Sequence, residues 1–240
     1  MPIHFISDLH LSDGTPDLDR LFVDTLDAWQ GRIDALYILG DLFEYWIGDD
    51  DDTPALEPLL AAMKDFSRRT PLHVMHGNRD FLMGKGFEAR SGARIITDPA
   101  LIGQAGARFL LTHGDALCTA DTAYQAFRAQ SRSPAWQAAM LARPLAERRA
   151  MAEHARRMSE ANKAAVGMSE ISDVTADAVE ALLDSHGWPT LIHGHTHRPA
   201  THRHAKDGRT AERWVIRDWH DGKGGFLKLD GGELSAHPLG

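Results

Sequence analysis

Residues 35–41 read Ala35-Leu36-Tyr37-Ile38-Leu39-Gly40-Asp41, five apolar residues closed by a glycine and a carboxylate. A short apolar run ending in Gly reads as a buried strand. Ile3-His4-Phe5-Ile6-Ser7 before it and Leu72-His73-Val74-Met75 after it have the same character. Two segments with apolar residues at helical spacing lie between these three. Residues 18–29 carry Leu18, Leu21, Phe22, Leu26 and Trp29, and residues 56–66 carry Leu59, Leu60, Met63 and Phe66. Strand, helix, strand, helix, strand predicts a parallel sheet flanked by helices, which is an α/β fold.

Farther along the chain the rhythm changes. Residues 94–96, 100–102 and 109–112 read as short strands, as do 190–192, 213–216, 225–229 and 233–235. Two mixed sheets packed on each other, with helices outside, accommodate them all. Residues 121–183 are rich in Ala, Arg, Glu and Met, are punctuated by Pro134 and Pro144, and contain a helix expected to end at Gly167. With no repeat and no low-complexity linker, residues 1–240 read as one domain with a helical insertion over about 121–183.

Composition narrows the function. Hydrophobic residues at 43% and charged residues at 25% are ordinary for a globular chain and exclude a disordered one. No apolar run reaches the roughly 18 residues of a membrane span. The N-terminus shows no basic stretch followed by an apolar segment, so no signal peptide is expected. A lone Cys118, read as a small packed residue, fits a reducing cytoplasm. The net charge of −8 argues against nucleic acid as the partner. The informative count is 14 His, many beside Gly or Asp at the ends of apolar runs, a pattern that suggests metal chemistry.

Each strand ends in a polar cluster: Asp8-Leu9-His10, Gly40-Asp41, Gly77-Asn78-Arg79-Asp80, His113-Gly114-Asp115 and His193-Gly194-His195-Thr196-His197. Ligands of open α/β sheets bind at the carboxyl ends of strands, so five distant clusters are expected to converge on one edge. Asp8 and His10, two apart, can reach one ion. Asp41 is a free carboxylate able to bridge two. Asn78 offers an amide oxygen, and His113, His195 and His197 offer imidazoles. Mixed oxygen and nitrogen ligands without thiolate suit manganese, and also iron, nickel or zinc. Any one cluster alone is more often a cap or a turn; five in this order, each after an apolar strand, point to function.

Asp-x-His, Gly-Asp, Gly-Asn-x-Asp, His-Gly and Gly-His-x-His in this order resemble the calcineurin-like metallophosphoesterases. The likeness extends over nearly the whole chain to one branch of that family, through Ser7-Asp8-Leu9-His10-Leu11, Trp46-Ile47-Gly48-Asp49-Asp50, Tyr124-Gln125-Ala126-Phe127-Arg128 and His193 to Pro199. The resemblance implies a two-sheet sandwich and a dinuclear centre, with Mn2+ the expected metal. Asp8, His10, Asp41 and His197 would serve one ion, and Asp41, Asn78, His113 and His195 the other. The branch implies hydrolysis of the pyrophosphate of UDP-2,3-diacylglucosamine in lipid A biosynthesis, at the cytoplasmic face of the inner membrane. Asn78, Arg79, Asp121, Ser159, Lys163 and His195 would touch the substrate. The branch often has a further Lys where Ala164-Ala165-Val166 stand here.

Many family members carry His where this chain has Arg79, and that His can protonate an alkoxide leaving group. A guanidinium does not titrate at neutral pH and can only neutralise charge. Arg79 therefore suits a leaving phosphate, whose second pKa is about 6. A pairing of Arg79 with a carboxylate such as Asp80 is the blander reading. The rival activity is a generic phosphodiesterase or nucleotide pyrophosphatase on soluble substrates. A non-catalytic scaffold on the same fold is disfavoured by the intact ligand set.

The insertion carries eight basic and four acidic residues over 121–163, interleaved with Tyr124, Phe127, Trp136, Met140, Leu141, Leu145 and Met151. It reads equally well as a basic lid gripping acyl chains at an anionic membrane, with Arg148, Arg149, Arg156 and Arg157 facing the lipid, or as a solvated helix pair docked on the core. The acidic run 49–52 reads as a solvated loop, and His202 and His204 as surface residues.

Overall fold

The computed structural model describes residues 1–166 and 173–240; of residues 159–166 it describes the helical backbone. In chain order the elements are β1 (Ile3–Ile6), α1 (Pro16–Trp29), β2 (Ala35–Ile38), α2 (Leu56–Ser67), β3 (Leu72–Met75), α3 (Lys85–Ser91), β4 (Arg94–Ile96), β5 (Ala100–Gln104) and β6 (Ala107–Leu111). There follow α4 (Thr122–Ser131), α5 (Pro134–Leu141), α6 (Leu145–Val166), α7 (Ala176–His186), β7 (Thr190–His193), β8 (Thr201–Lys206), β9 (Arg209–Val215), β10 (Gly224–Asp230) and β11 (Glu233–Leu239). The expected helix end at Gly167 lies outside the described residues.

The strands form two mixed sheets, in the orders β11-β10-β1-β2-β3-β4 and β5-β6-β7-β9-β8. The β1–β2–β3–β4 pairings are parallel, as are β6–β7 and β7–β9. Successive side chains of a strand point to opposite faces, and here each face meets a different core. Ile6, Leu36, Ile38, Leu72 and Val74 pack outward against Phe22, Leu26, Leu60, Met63 and Phe66 of α1 and α2. Phe5, Leu39 and Met75 point inward and meet Phe109, Leu111 and Ile192 of the second sheet. That two-sided burial is why the strands read as continuous apolar runs.

Two elements lack a sequence signal. α3 buries only Phe87 and Ser91, too little for a helical stripe. β8 is a polar edge strand, Thr-His-Arg-His-Ala-Lys, specified by its pairing with β9 rather than by any burial pattern. α7, within the span read as an insertion, packs Val179 and Leu183 against Leu110 and Leu191 and so covers the outer face of the second sheet.

α4 to α6 cross over the strand ends. α4 is anchored through buried Asp115, which accepts from Tyr124 Oη and from Arg128 Nε at 2.9 Å. α6 is anchored through Arg148, only 3% exposed, which donates to Ile47 O (2.6 Å) and Arg143 O (3.0 Å) and grips Asp50. Arg149 reaches Asp51 (3.0 Å) and Asp52 (3.1 Å).

The acidic run 49–52 is therefore a docking loop rather than a solvated one. Asp51 is buried, and Asp49 accepts from Gly84 N (3.0 Å), Gly86 N (2.7 Å) and Trp46 Nε1 (3.1 Å). Its basic partners lie about a hundred residues away, so local charge could not disclose the pairing. Arg148 and Arg149 are thus paired with this loop rather than free to meet lipid headgroups. Cys118 is buried as expected, and His202 is exposed.

Candidate metal centre

The loops after β1, β2, β3, β6 and β7 bring the seven expected ligands together. Asp8, His10 and His197 offer ligand atoms within 4.8 Å of one another, as do Asp8, Asp41 and His113. Asn78 Oδ1 lies 3.1 Å from His113 Nε2. The His195 ring stands 5.0 Å from that of His113, and its backbone N–H donates to Asp8 Oδ2 (2.8 Å). Asp8 is common to both groups, and Asp41 lies 3.9 Å from His10 Nε2 and 3.8 Å from His113 Nε2.

The backbone is bent to achieve this. Asp8, His10, Asp41, His195 and His197 all have φ between 50° and 67°. An L-residue there costs about 1 kcal/mol or more, and such strain collects at functional sites. The loops also approach closely. A Cβ on Gly77 would overlap the Asp41 carboxylate, and one on Gly194 would overlap Asp8 Oδ2 and Ser7 Oγ. The glycines of these motifs are thus required by contact between loops.

Three of the four imidazoles have a carbonyl or carboxylate behind one ring nitrogen. His113 Nδ1 bonds Leu39 O (2.8 Å), which leaves Nε2 facing Asn78 and Asp41. His197 Nδ1 lies 3.2 Å from Asp218 while its Nε2 lies 3.4 Å from Asp8 Oδ1. His10 Nδ1 lies 3.3 Å from Glu44. A carboxylate or carbonyl behind a histidine is the usual support for a metal ligand. Asp8 Oδ1 and His10 Nε2 are buried without a hydrogen-bond partner among the described residues. Orphaned acceptors of that kind are satisfied when a cation sits between them.

The electrostatics favour positive charge at the same points. Burial opposes a charged His113, but Asp41, Asp8 and Asp115 outweigh it and lift its pKa to about 9. Burial likewise opposes a charged His197, which Asp218 and Asp8 raise to about 10. Burial and the neighbouring His113 lower His195 to about 4. Burial pushes Asp8 upward, yet His197, His113 and His10 hold it well below the usual carboxylate range. The donor set is oxygen and imidazole without thiolate, and it fits divalent transition metals.

Arg79 does not pair with Asp80. Its backbone N–H donates to Asp41 Oδ1 (2.9 Å) and its guanidinium lies 3.4 Å from Glu44. Asp80 is buried and accepts from Gly77 N (2.7 Å) and Leu42 N (2.8 Å), tying the second and third loops. Asp121 caps α4, accepting from Tyr124 N at 2.9 Å. The side chains of Ser159 and Lys163 lie outside the described residues.

Sequence reasoning gave no role to Glu44, Asp115 or Asp218. Asp115 stands inside a quoted motif, and Glu44 lies three residues beyond Asp41. Asp218 sits beyond β9 in a loop without a motif, though Trp219 N donates to Asp8 O (3.0 Å) beside it.

A cavity of roughly 320 Å³ is lined by Asn78 and Arg79 of the third loop together with Phe81, Leu82, Trp136 and Met140.

Five strand-end loops, two sheets and a nitrogen–oxygen cluster define a metallophosphoesterase, and the chain belongs to the calcineurin-like phosphoesterase family, whose model matches residues 1–199. The relatives it resembles are more specific. It is 66% identical to the UDP-2,3-diacylglucosamine hydrolase of Chromobacterium violaceum, over the full length of both chains. It is 52% identical to the enzyme of the same name from Aromatoleum aromaticum, over 95% of this chain and 92% of that one. A solved archaeal phosphodiesterase shares the fold, at a TM-score of 0.51 and 14% identity over the whole of both chains.

Proposed function

We propose that the chain hydrolyses the pyrophosphate bond of UDP-2,3-diacylglucosamine, giving UMP and 2,3-diacylglucosamine 1-phosphate, as a step of lipid A biosynthesis. The observation that carries this is the apolar cavity that Asn78 and Arg79 help to line. A phosphodiesterase acting on a soluble substrate has no use for Phe81, Trp136 and Met140 at that place. Two long relatives-in-sequence that bear this enzyme's name support the same substrate.

Asp8, His10, Asp41 and His197 would hold one divalent ion, and Asp41, Asn78, His113 and His195 a second, with Mn2+ the expected metal. When bound, two such ions generate a hydroxide nucleophile and stabilise charge on the phosphoryl oxygens. The chain's own residues do the rest. Asn78 and Arg79 orient the pyrophosphate. Arg79 offers fixed positive charge to the leaving phosphate and, having no titratable proton, confines the site to leaving groups that need none. Asp121, Ser159 and Lys163 would contact the sugar nucleotide.

α4 to α6 form a lid, and the chain acts as one catalytic unit with that lid inserted. Phe127, Leu141, Met151 and Met158 are its exposed large apolar side chains, and they would rest on the cytoplasmic face of the inner membrane. No helix among the described residues is long and apolar enough to cross it.

Burial of acyl chains contributes about 0.8 kcal/mol per methylene. UDP-glucosamine without acyl chains should therefore turn over orders of magnitude more slowly than the diacyl form, measured as UMP release. Equal kcat/KM on both would replace the reading with a soluble nucleotide pyrophosphatase.

A further inference from the structure

Glu44 is only 13% exposed in its side chain and divides its two oxygens between two parts of the molecule. Oε2 lies 3.3 Å from His10 Nδ1. Oε1 lies 3.4 Å from Arg79 Nη1 and 3.2 Å from Arg156 Nε on α6. One carboxylate thus meets a metal-ligand histidine, the charge-neutralising arginine and the lid.

The placement has two consequences. Neither ring nitrogen of His10 makes a hydrogen bond among the described residues, and Glu44 is the closer of the two carboxylates beside the ring, 3.3 Å against 3.9 Å for Asp41. A carboxylate behind Nδ1 orients the ring with Nε2 toward Asp41, the arrangement that supports a metal-ligand histidine. On the other side, Arg148 and Arg149 clamp α6 to the loop at residues 47–52, and Arg156 clamps it again eight residues on. Eight residues are about 12 Å of helix. The second clamp differs from the first because its acceptor is itself tied to the metal centre.

We propose that Glu44 is a positioning residue that couples the lid to the metal centre. It orients His10 for the metal while holding Arg79 and Arg156 in the wall of the cavity. Occupation of the His10 position by metal fixes Glu44, and a fixed Glu44 fixes the Arg156 end of α6. Linkage is reciprocal, so seating the lid also favours metal at His10. The inference rests on the metal centre proposed above, but its test needs only metal and the full chain.

Mn2+ is titrated into the metal-free full chain and followed by electron paramagnetic resonance, for the wild type and for Glu44→Gln. Loss of a group behind a ligand typically weakens metal binding about 10- to 100-fold, and the weaker of the two sites should shift by that factor in Glu44→Gln. Hydrogen exchange of residues 150–158 is then compared with and without Mn2+ at saturation. In the wild type the metal should slow exchange there, and in Glu44→Gln it should not, whereas Arg156→Gln should lose the metal-dependent protection and keep its two Mn2+. Circular dichroism of the metal-free variants controls for folding, and a misfolded Glu44→Gln is replaced by Glu44→Asp, which keeps the charge and should restore part of the affinity. Wild-type Mn2+ affinity in Glu44→Gln overturns the proposal. So does weakened affinity with α6 still protected by metal, because Glu44 would then serve His10 alone. A wild type that binds no Mn2+ would remove the metal centre itself, a separate result.

Discussion

At the scale of the residue, the centre rests on side chains that are buried, bent and crowded together. Asp41 is 2% exposed, accepts the Arg79 N–H and lies 3.9 Å from His10 and 3.8 Å from His113. Asp41→Ala should abolish hydrolysis and take bound metal from two ions per chain toward one or none, read by elemental analysis, with circular dichroism unchanged. Full activity in a correctly folded Asp41→Ala protein would sink the two-ion mechanism. That the seven candidate ligands come together was legible because each follows an apolar strand, and strand ends meet at one edge. The supporting residues were not. Glu44, Asp115 and Asp218 act across the fold, on His10, on Tyr124 and Arg128, and on His197, and no spacing rule brings such partners together.

At the scale of the element, the docking of α6 turns on one buried guanidinium. Arg148 satisfies two backbone carbonyls and the Asp50 carboxylate. Asp50 is 63% exposed, so water can replace that ion pair; the carbonyl of Ile47 would lose its partner outright. Arg148→Ala should cost about 1–3 kcal/mol locally. Proteolysis within residues 140–158 should quicken while metal content stays at the wild-type value; unchanged proteolysis would mean that the helix is held by its apolar contacts instead. The same element shows why charge counting misled. The excess of basic residues in the insertion looked like a face for anionic lipid, and two of its arginines are consumed by Asp50, Asp51 and Asp52. α1, α2 and the central strands were legible because burial on fixed faces writes a period into the sequence, whereas α3 and β8 bury too little to write one.

At the scale of the whole molecule, the centre spans both sheets. Asp8, His10, Asp41 and Asn78 follow strands of the first sheet, and His113, His195 and His197 follow strands of the second. Metal bound there should stabilise the entire fold. A ligand at a hundred times its dissociation constant contributes about 2.7 kcal/mol, and a domain of this size gains roughly 2–4 °C per kcal/mol. Removing metal with a chelator should therefore lower the melting temperature by roughly 5–10 °C, with recovery on adding Mn2+. An unchanged melting temperature would show that the two sheets are locked by their apolar interface alone.

The order of the first sheet has a bearing on how the chain is born. β1 precedes both of its neighbours in the chain, yet it lies in the middle of its sheet, between β2 and β10. Its antiparallel neighbour is residues 224–230, made long after it. Until then one edge of β1 is unpaired, and Asp8 and His10 hang from a strand with half its neighbours. His195, His197 and Asp218 also arrive late in the 240-residue chain. A nascent polypeptide stopped after His113 already holds five of the seven candidate ligands and lacks the loop after β7 that carries His195 and His197. Assembly of the centre thus waits for β7 and β10, and a chain cut before them leaves β1 with an open edge rather than a weaker centre.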